Sequence, residues 1–331
     1  MDTTTMAPYR TLGRSGIQVS ALGLGCAATG GQFYSAEGEP LAWVDVDDNE
    51  SIRAIHAALD EGVTFFDTAD MYGAGHSEEV LGEALKGRRD RVVIATKFGD
   101  VMDPVTRRAV GFDARPEFIR QSLEASLRRL NTDYVDLYQF HIWGHPPAEA
   151  IPVRETLEEL TREGKIRGYA WSTDVLESLE VFAEGPNCIG IQHELNLFRC
   201  DAAILALCER ENLASINRSP LAMGILTGKY GFGFNFAQND VRSHTPYYVW
   251  FKDGRPSEEH LQKLESVREI LTSGGRTLAQ GALAWIWGRS QRTIPIPGFK
   301  TVQQAQENAR AMQFGPLAPE QMMEIEMLLG R

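Results

Sequence analysis

The chain is poor in cysteine and has no long apolar run. Its four cysteines are spaced too widely and irregularly for a zinc site or a disulfide framework, so we expect them to be small buried hydrophobic residues. We interpret no set of histidine and cysteine residues as a metal site. No segment approaches about eighteen uninterrupted apolar residues, and the opening residues MDTTTMAP lack the basic and apolar parts of a secretory leader. The sequence therefore predicts no membrane partner and a cytoplasmic location.

Positive charge is also scarce. The 33 Lys and Arg residues are outnumbered by 45 Asp and Glu residues, and the formal net charge is −12. A phosphate backbone repels a chain of this balance unless a local basic patch is present, and no basic run supplies one. We therefore expect a small-molecule partner rather than a nucleic acid. No feature of the sequence predicts a particular oligomeric state.

What the chain does contain is a repeat of short apolar runs, each followed by a charged segment of helical periodicity. Parallel strands covered by helices on both faces show this pattern. The predicted strands are VSALGLGC (19–26), TFFDT (64–68), RVVIATKF (91–98), YVDLYQFH (134–141), IRGYAWST (166–173), CIGIQHEL (188–195), LASINRSPL (213–221) and TIPIPG (293–298).

Eight such units predict an α/β fold, a closed (β/α)₈ TIM barrel forming one domain over residues 1–331. The open dinucleotide-binding alternative is weakened because GLGCAATGG, after the first strand, has the wrong spacing for G-x-G-x-x-G. Two stretches exceed the repeat: SEEHLQKLESVREIL within residues 222–276, and PEQMMEIEMLL near the end. We predict that they form two additional helices.

Polar residues follow several of the predicted strands. In a barrel of this kind the carboxyl ends of the strands converge on one mouth, where active sites are built. Asp67, Lys97 and His141 stand at three of these ends, and Tyr72 lies in the loop after Asp67. Each residue alone has an ordinary structural explanation, but the four together indicate function. Further polar residues at the same end are Ser172, Thr173, Gln192, Asn196 and Ser219.

The four residues suit protonation of a carbonyl oxygen during hydride transfer. A free tyrosine, with a pKa of about 10, is a reluctant acid at neutral pH. An ammonium group beside its hydroxyl favours the phenolate, so we expect Lys97 to make Tyr72 a better acid. Asp67 would keep the buried ammonium paired, and His141 would donate to the substrate oxygen.

With these motifs in order, the chain resembles the aldo-keto reductases, including the branch of potassium-channel β-subunit-like reductases. The resemblance runs from YRTLGRSGIQVSALGLG to the ENARAM segment, through GVTFFDTADMYGAGHSEEVLGEAL, ATKFG and DLYQFH. It implies a barrel with two added helices and a nicotinamide coenzyme bound without a Rossmann motif. It implies an oxidoreductase that reduces an aldehyde or ketone, or oxidises an alcohol or sugar, with Tyr72 as general acid and base.

The resemblance also implies a coenzyme site. It assigns Ser172, Thr173 and Gln192 to the nicotinamide carboxamide, and it favours NADP(H) over NAD(H). Three residues depart from the family pattern: Thr173 stands in place of an asparagine, Arg218 in place of the aromatic residue that stacks on the nicotinamide, and Gln304 in place of an arginine for the 2′-phosphate. The remaining implied coenzyme contacts are Ser219, Leu221, Lys229, Gly298, Lys300, Glu307 and Asn308.

Aromatic residues near these motifs suggest a pocket for a carbonyl-bearing ring or a sugar. Trp143 follows His141, and the other predicted lining residues are Phe33, Tyr34, Tyr247, Tyr248 and Trp250.

Two other functions are compatible with the same residues. Lys97 could form a Schiff base in an aldolase-like barrel. Alternatively, the chain could sense the coenzyme as a regulatory subunit with little turnover.

Overall fold

The computed structural model describes residues 9–243 and 249–331. In chain order its strands are β1 (Tyr9–Thr11), β2 (Gln18–Ser20), β3 (Leu24–Gly25), β4 (Phe65–Asp67), β5 (Val93–Phe98), β6 (Asp100–Asp103), β7 (Arg108–Phe112), β8 (Leu137–Phe140), β9 (Tyr169–Ser172), β10 (Cys188–Glu194), β11 (Ala214–Arg218), β12 (Phe251–Lys252), β13 (Arg255–Pro256) and β14 (Thr293–Pro295).

Eight of these strands form one parallel sheet in the order β14-β11-β10-β9-β8-β5-β4-β3. The sheet closes because the outer strands meet: Gly23 N donates to Pro295 O at 3.0 Å, and Gly25 pairs with Gly298. Each predicted strand contains one strand of this barrel, so the predicted fold is confirmed. One boundary was wrong, because residues 19 and 20 belong to the hairpin of β1 and β2 rather than to the barrel.

The helices are α1 (Asp48–Asp60), α2 (His76–Ala84), α3 (Pro116–Leu130), α4 (Ile151–Arg162), α5 (Leu176–Ala183), α6 (Ala202–Arg210), α7 (Glu258–Thr272), α8 (Leu278–Arg289), α9 (Val302–Arg310) and α10 (Pro319–Leu328). Their apolar faces pack on the outside of the barrel in the main core. Local sequence starts several of them: Asp47 and Asp201 cap α1 and α6 through their side chains, and Pro116 opens α3. The predicted additional helices are α7 and α10.

A second, smaller core fills the barrel interior. It contains Phe65, Val93, Leu137, Ile216 and Ile294 from the barrel strands, all fully or almost fully buried. Leu12, Ile17 and Val19 of the N-terminal hairpin also belong to this core, so the hairpin plugs the amino-terminal end of the barrel. The site can therefore open only at the carboxyl ends of the strands.

Two further hairpins were not predicted from the sequence. Strands β6 and β7 form one after β5, and β12 and β13 form another before α7. Within the described residues, none of the helices combines the length and the apolar character that crossing a membrane requires.

Candidate active site

Alternation along the strands decides which side chains enter the barrel. Phe65 lies in the inner core, so Asp67, two residues later, points inward as well. Lys97 on β5 and Arg218 on β11 point inward for the same reason, because each stands two residues after an inner-core residue, Ala95 or Ile216. A polar layer thus lies directly above the apolar interior. Its other members are Gln139 on β8, Ser172 on β9, and Gln192 and Glu194 on β10.

Lys97 and Asp67 form a fully buried ion pair in this layer. Lys97 Nζ donates to Asp67 Oδ1 at 2.5 Å and to the backbone oxygen of Thr68 at 2.7 Å. The other carboxylate oxygen, Asp67 Oδ2, accepts from Gln139 Nε2 at 2.7 Å and from Gln192 Nε2 at 2.8 Å. Two acceptors at the end of β4 therefore hold the ammonium group, and two amide donors from β8 and β10 hold the carboxylate that pairs with it.

Electrostatics keep this lysine charged. Burial alone would lower the pKa of Lys97, but attraction to Asp67 and Tyr72 and hydrogen bonds to both raise it above its ordinary value. Lys97 is 0% exposed. An ammonium without a free lone pair cannot attack a carbonyl carbon, so the Schiff-base function is not favoured.

Tyr72 completes the arrangement from the loop between β4 and α2. Its hydroxyl oxygen lies 3.4 Å from Lys97 Nζ, and the ammonium is 5.0 Å from the centre of its ring. Two glycines allow this placement. A Cβ on Gly73, whose φ is +64°, would lie 2.0 Å from Gly30 O, and a Cβ on Gly30 would lie 2.6 Å from the carbonyl carbon of Tyr72.

His141 follows β8 and faces Tyr72 from the other side. The two ring centres are 6.3 Å apart in an edge-to-face arrangement, and the histidine side chain is 19% exposed. Its Nδ1 lies 3.2 Å from Asp100 Oδ2, within ion-pair distance but without hydrogen-bond alignment. His145 stands four residues on, but within the described residues no group of three or more ligands could hold a metal ion.

The residues assigned to the nicotinamide carboxamide occupy the opposite side of the mouth. Ser172 Oγ donates to Gln192 Oε1 at 3.1 Å, which joins it to the Asp67 network. The Thr173 hydroxyl instead donates to Trp143 O at 2.9 Å, and the residue is fully buried. Thr173 thus supports the loop after β8. Asn196 donates to Ser219 O at 3.2 Å and joins the loops after β10 and β11.

Arg218 is held in a cluster of two arginines and two carboxylates. Its Nη2 pairs with Asp174 Oδ2, and its Nη1 lies 3.8 Å from Glu194 Oε2. Arg199 pairs with the same two acids at 3.6 and 3.0 Å. Burial raises the pKa of Glu194, an effect that the two arginines oppose. The Arg218 side chain is 24% exposed at the rim and its charge is balanced by direct contacts.

The loop after β11 has a strained backbone. Ser219, Ala222, Met223 and Gly224 have φ of 51°, 46°, 50° and 99°, values that side chains disfavour. Leu221 is buried at 8% exposure between them. Lys229 follows the loop and is exposed, with Nζ 5.7 Å from the ring centre of Tyr230.

The segment between β14 and α9 places Lys300 at the start of a helix and near two other cations. Lys300 Nζ donates to Val44 O. Burial lowers the pKa of Lys300; Arg242 and Lys229 lower it further, whereas Asp45 and Asp240 oppose the shift. Gln304 Oε1 accepts from Lys300 N at 2.8 Å, and Asn308 Nδ2 donates to Gly298 O at 3.2 Å. Glu307 is half-buried and accepts from Gln280 Nε2 through its backbone oxygen at 3.0 Å.

Two of the predicted substrate residues lie beside Asp67, Tyr72, Lys97 and His141, the predicted catalytic group. The Phe33 ring centre is 6.2 Å from that of Tyr72, and Trp143 is 50% exposed after His141. Tyr34 is half-buried and bridges to Pro40 and Arg108 through its backbone. Trp250 was predicted as a lining residue, but it is 2% exposed and packs in the main core. Tyr247 and Tyr248 lie outside the described residues.

Four residues of the mouth were not predicted from the sequence: Gln139, Asp100, Asp174 and Glu194. A signal existed for Gln139 and Glu194, because each stands two residues from a residue already assigned to the mouth, His141 or Gln192. Asp100 and Asp174 carry no such signal, since both lie beyond the ends of the barrel strands.

Known proteins that are similar to this chain point to one family. The family model described as the aldo/keto reductase family matches residues 21–329. The chain is 33% identical over 301 residues to aldo-keto reductase YhdN of Bacillus subtilis, covering 88% of this chain and 85% of that protein. It is 30% identical to aldo-keto reductase yakc [NADP(+)] of Schizosaccharomyces pombe, covering 92% and 86%. The solved glycerol dehydrogenase AKR11B4 from Gluconobacter oxydans superposes with a TM-score of 0.80 at 31% identity, covering 95% of this chain and 93% of that one.

Proposed function

Because the chain belongs to the aldo/keto reductase family, we propose that it reduces an aldehyde or ketone with NADPH, or oxidises the corresponding alcohol with NADP⁺, using Tyr72 as general acid and base. The observation that carries this proposal is the contact of a buried, fully paired ammonium with the tyrosine hydroxyl, at 3.4 Å. The Schizosaccharomyces pombe relative, whose name specifies NADP(+), supports the choice of coenzyme.

The residues at the mouth fit such a coenzyme. Ser172 and Gln192 offer a hydroxyl and an amide beside the catalytic group, and they would hold the carboxamide. The loop after β11, with left-handed residues at Ser219, Ala222, Met223 and Gly224, is a strained, preorganised loop of the kind that cradles phosphate groups. Lys300, close to Lys229 and Arg242, would hold the 2′-phosphate. When bound, the coenzyme supplies or accepts the hydride.

The contacts of Lys97 indicate how Tyr72 would transfer its proton. Its ammonium donates to the Tyr72 oxygen, so the hydroxyl proton is the one that Tyr72 would give to the substrate carbonyl oxygen. As that proton leaves, the phenolate forms beside a positive charge that is already in place. Asp67 prevents the ammonium from moving, because both of its oxygens are occupied by Lys97, Gln139 and Gln192.

The substrate would lie between Tyr72 and His141, with Phe33 and Trp143 as its aromatic walls. We propose small aldehydes and sugar-like carbonyl compounds as the substrate class. The similarity to a glycerol dehydrogenase supports polyols in the reverse direction. The regulatory function is not favoured, because the chain keeps the complete catalytic group and its closest contacts.

The test compares wild-type protein with Tyr72→Phe on a panel of aliphatic, aromatic and sugar aldehydes. We expect wild-type protein to consume NADPH, and Y72F to bind NADPH with unchanged affinity while its kcat falls by a factor on the order of 10² to 10⁴. Tyr9→Phe, at an exposed tyrosine in the N-terminal hairpin, is the matched control. Reduction by Y72F at the wild-type rate would remove Tyr72 as the acid.

A further inference from the structure

One carboxylate beside the catalytic group has no role so far. Asp100 begins β6 directly after Gly99, and its side chain is 8% exposed. Gly99 has φ of +127°, and a Cβ there would lie 2.7 Å from the Ile142 side chain. The chain can turn at this point only through glycine, and the turn brings Asp100 against the residue that follows β8.

Asp100 Oδ2 and His141 Nδ1 face each other at 3.2 Å. Both atoms are buried, and neither has a hydrogen-bond partner among the described residues. A buried polar atom without a partner is costly, and here two of them lie within reach of each other. A small rotation of the imidazole ring would align them.

The chemistry of this pair requires a proton between the two atoms. An unprotonated Nδ1 and a carboxylate oxygen are both acceptors, and two buried acceptors at this distance repel each other. A proton on Nδ1 turns the repulsion into a charge-assisted hydrogen bond. A neutral ring with its proton on Nδ1 has only an acceptor at Nε2. Nε2 can then donate to a substrate oxygen only from the imidazolium form.

We propose that Asp100 is the positioning residue of His141: it accepts a hydrogen bond from Nδ1, fixes the plane of the ring and directs Nε2 to the substrate carbonyl oxygen. This inference rests on the proposed reductase function. It adds a second group that contacts the substrate oxygen beside Tyr72, and it connects the hairpin of β6 and β7 to the catalytic group.

Other charged groups around the pair are few among the described residues. The Tyr72 ring and, behind it, Lys97 lie on one side of His141. Asp70 lies beyond Asp100, and its pKa is raised well above its usual range by burial, then by Glu78 and Asp100, with Arg129 opposing. His145 packs on the Phe140 ring, 5.1 Å between centres, behind the site. Asp100 is thus the carboxylate that faces His141 directly.

The first test is the pH dependence of reduction by Asp100→Asn. Without the carboxylate the ring loses its Nδ1 partner, so we expect the profile of kcat against pH to differ from that of wild-type protein. At neutral pH we expect kcat to fall about tenfold and NADPH affinity to stay unchanged. Asp100→Glu should restore much of the wild-type profile. Glu117→Gln, which removes an exposed carboxylate in the first turn of α3, is the matched control.

The second test needs no turnover. Nitrogen-15 spectra of histidine-labelled wild-type protein, with His141 assigned through His141→Gln, should show Nδ1 protonated, and D100N should show a shifted Nδ1 signal. A wild-type ring with a bare Nδ1, or a D100N pH profile identical to that of wild type, would overturn the proposal. Failure of the reductase function would appear separately, as normal spectra without NADPH consumption.

Discussion

The mouth of the barrel holds two cations whose charges are balanced in different ways. Lys97 is 0% exposed and has one carboxylate partner, Asp67, beside a phenol. Arg218 is 24% exposed and shares two carboxylates with Arg199. The lysine charge is therefore concentrated next to a proton that can move, whereas the arginine charge is neutralised within its own cluster. We infer that the first cation acts on chemistry and the second only shapes the coenzyme site.

The largest effect is expected from Lys97→Met, which removes the first of these two charges. Removal of the ammonium should lower kcat for reduction about a thousandfold, because no positive charge then stabilises the Tyr72 phenolate as the proton leaves. The variant also leaves Asp67 buried and unpaired, which costs about 3–5 kcal/mol of folding free energy. Steady-state kinetics and urea unfolding measure the two losses.

A double variant separates them. Lys97→Met with Asp67→Asn removes both charges, so we expect most of the stability to return while activity stays lost. Lys86→Met, at an exposed lysine, is the matched control and should behave as wild type. Activity in the double variant near the wild-type level would show that the charge at Lys97 is not required.

A smaller effect concerns His193, behind the arginine cluster. Burial lowers the pKa of His193 from 6.5 to about 4, and its Nδ1 has no hydrogen-bond partner among the described residues. The folded protein keeps the ring neutral while the unfolded chain takes up a proton below about pH 6.5. This stability is therefore present above pH 6.5 and is lost as the pH falls toward 4. Between pH 6.5 and about 5 the loss is about 2 kcal/mol, at 1.36 kcal/mol per pH unit.

Urea unfolding of wild type and His193→Asn at about pH 7.5 and pH 5 checks this. We expect the asparagine variant to lose about 2 kcal/mol less between the two pH values, whatever its stability at neutral pH. Equal losses in the two proteins would mean that His193 does not titrate in this way.

The smallest effect concerns Arg218 and the relative affinity for NADP⁺ and NADPH. Asp174→Asn would leave an excess positive charge at the rim, and we expect it to weaken NADP⁺ binding about tenfold relative to NADPH, because the oxidised ring is cationic. Arg218→Met should shift the ratio in the opposite direction. Arg210→Met, at an exposed arginine, is the control. Shifts of the same sign in both variants would favour a purely steric role. Titration of each coenzyme by fluorescence provides the ratio.

The sequence predicted some residues of the site well and others poorly. Asp67, Lys97 and His141 were predicted because each stands at the end of an apolar run, and the fold brings all three to one mouth. Gln139 was overlooked within such a run, although alternation places it on the same face as His141. Trp250 was predicted to line the pocket and is buried in the core, because aromatic composition does not reveal which side of a loop faces inward.

The eight strands of the barrel and the polar residues at their ends could be predicted from the sequence, because apolar periodicity and strand-end residues are local properties of the chain. Which polar groups touch depends on the tertiary structure. The pairing of Asp67 with Gln139 and Gln192, of Arg218 with Asp174, and the approach of Asp100 to His141 join different segments of the chain. Such contacts depend on strand register and on barrel closure, which no single segment encodes.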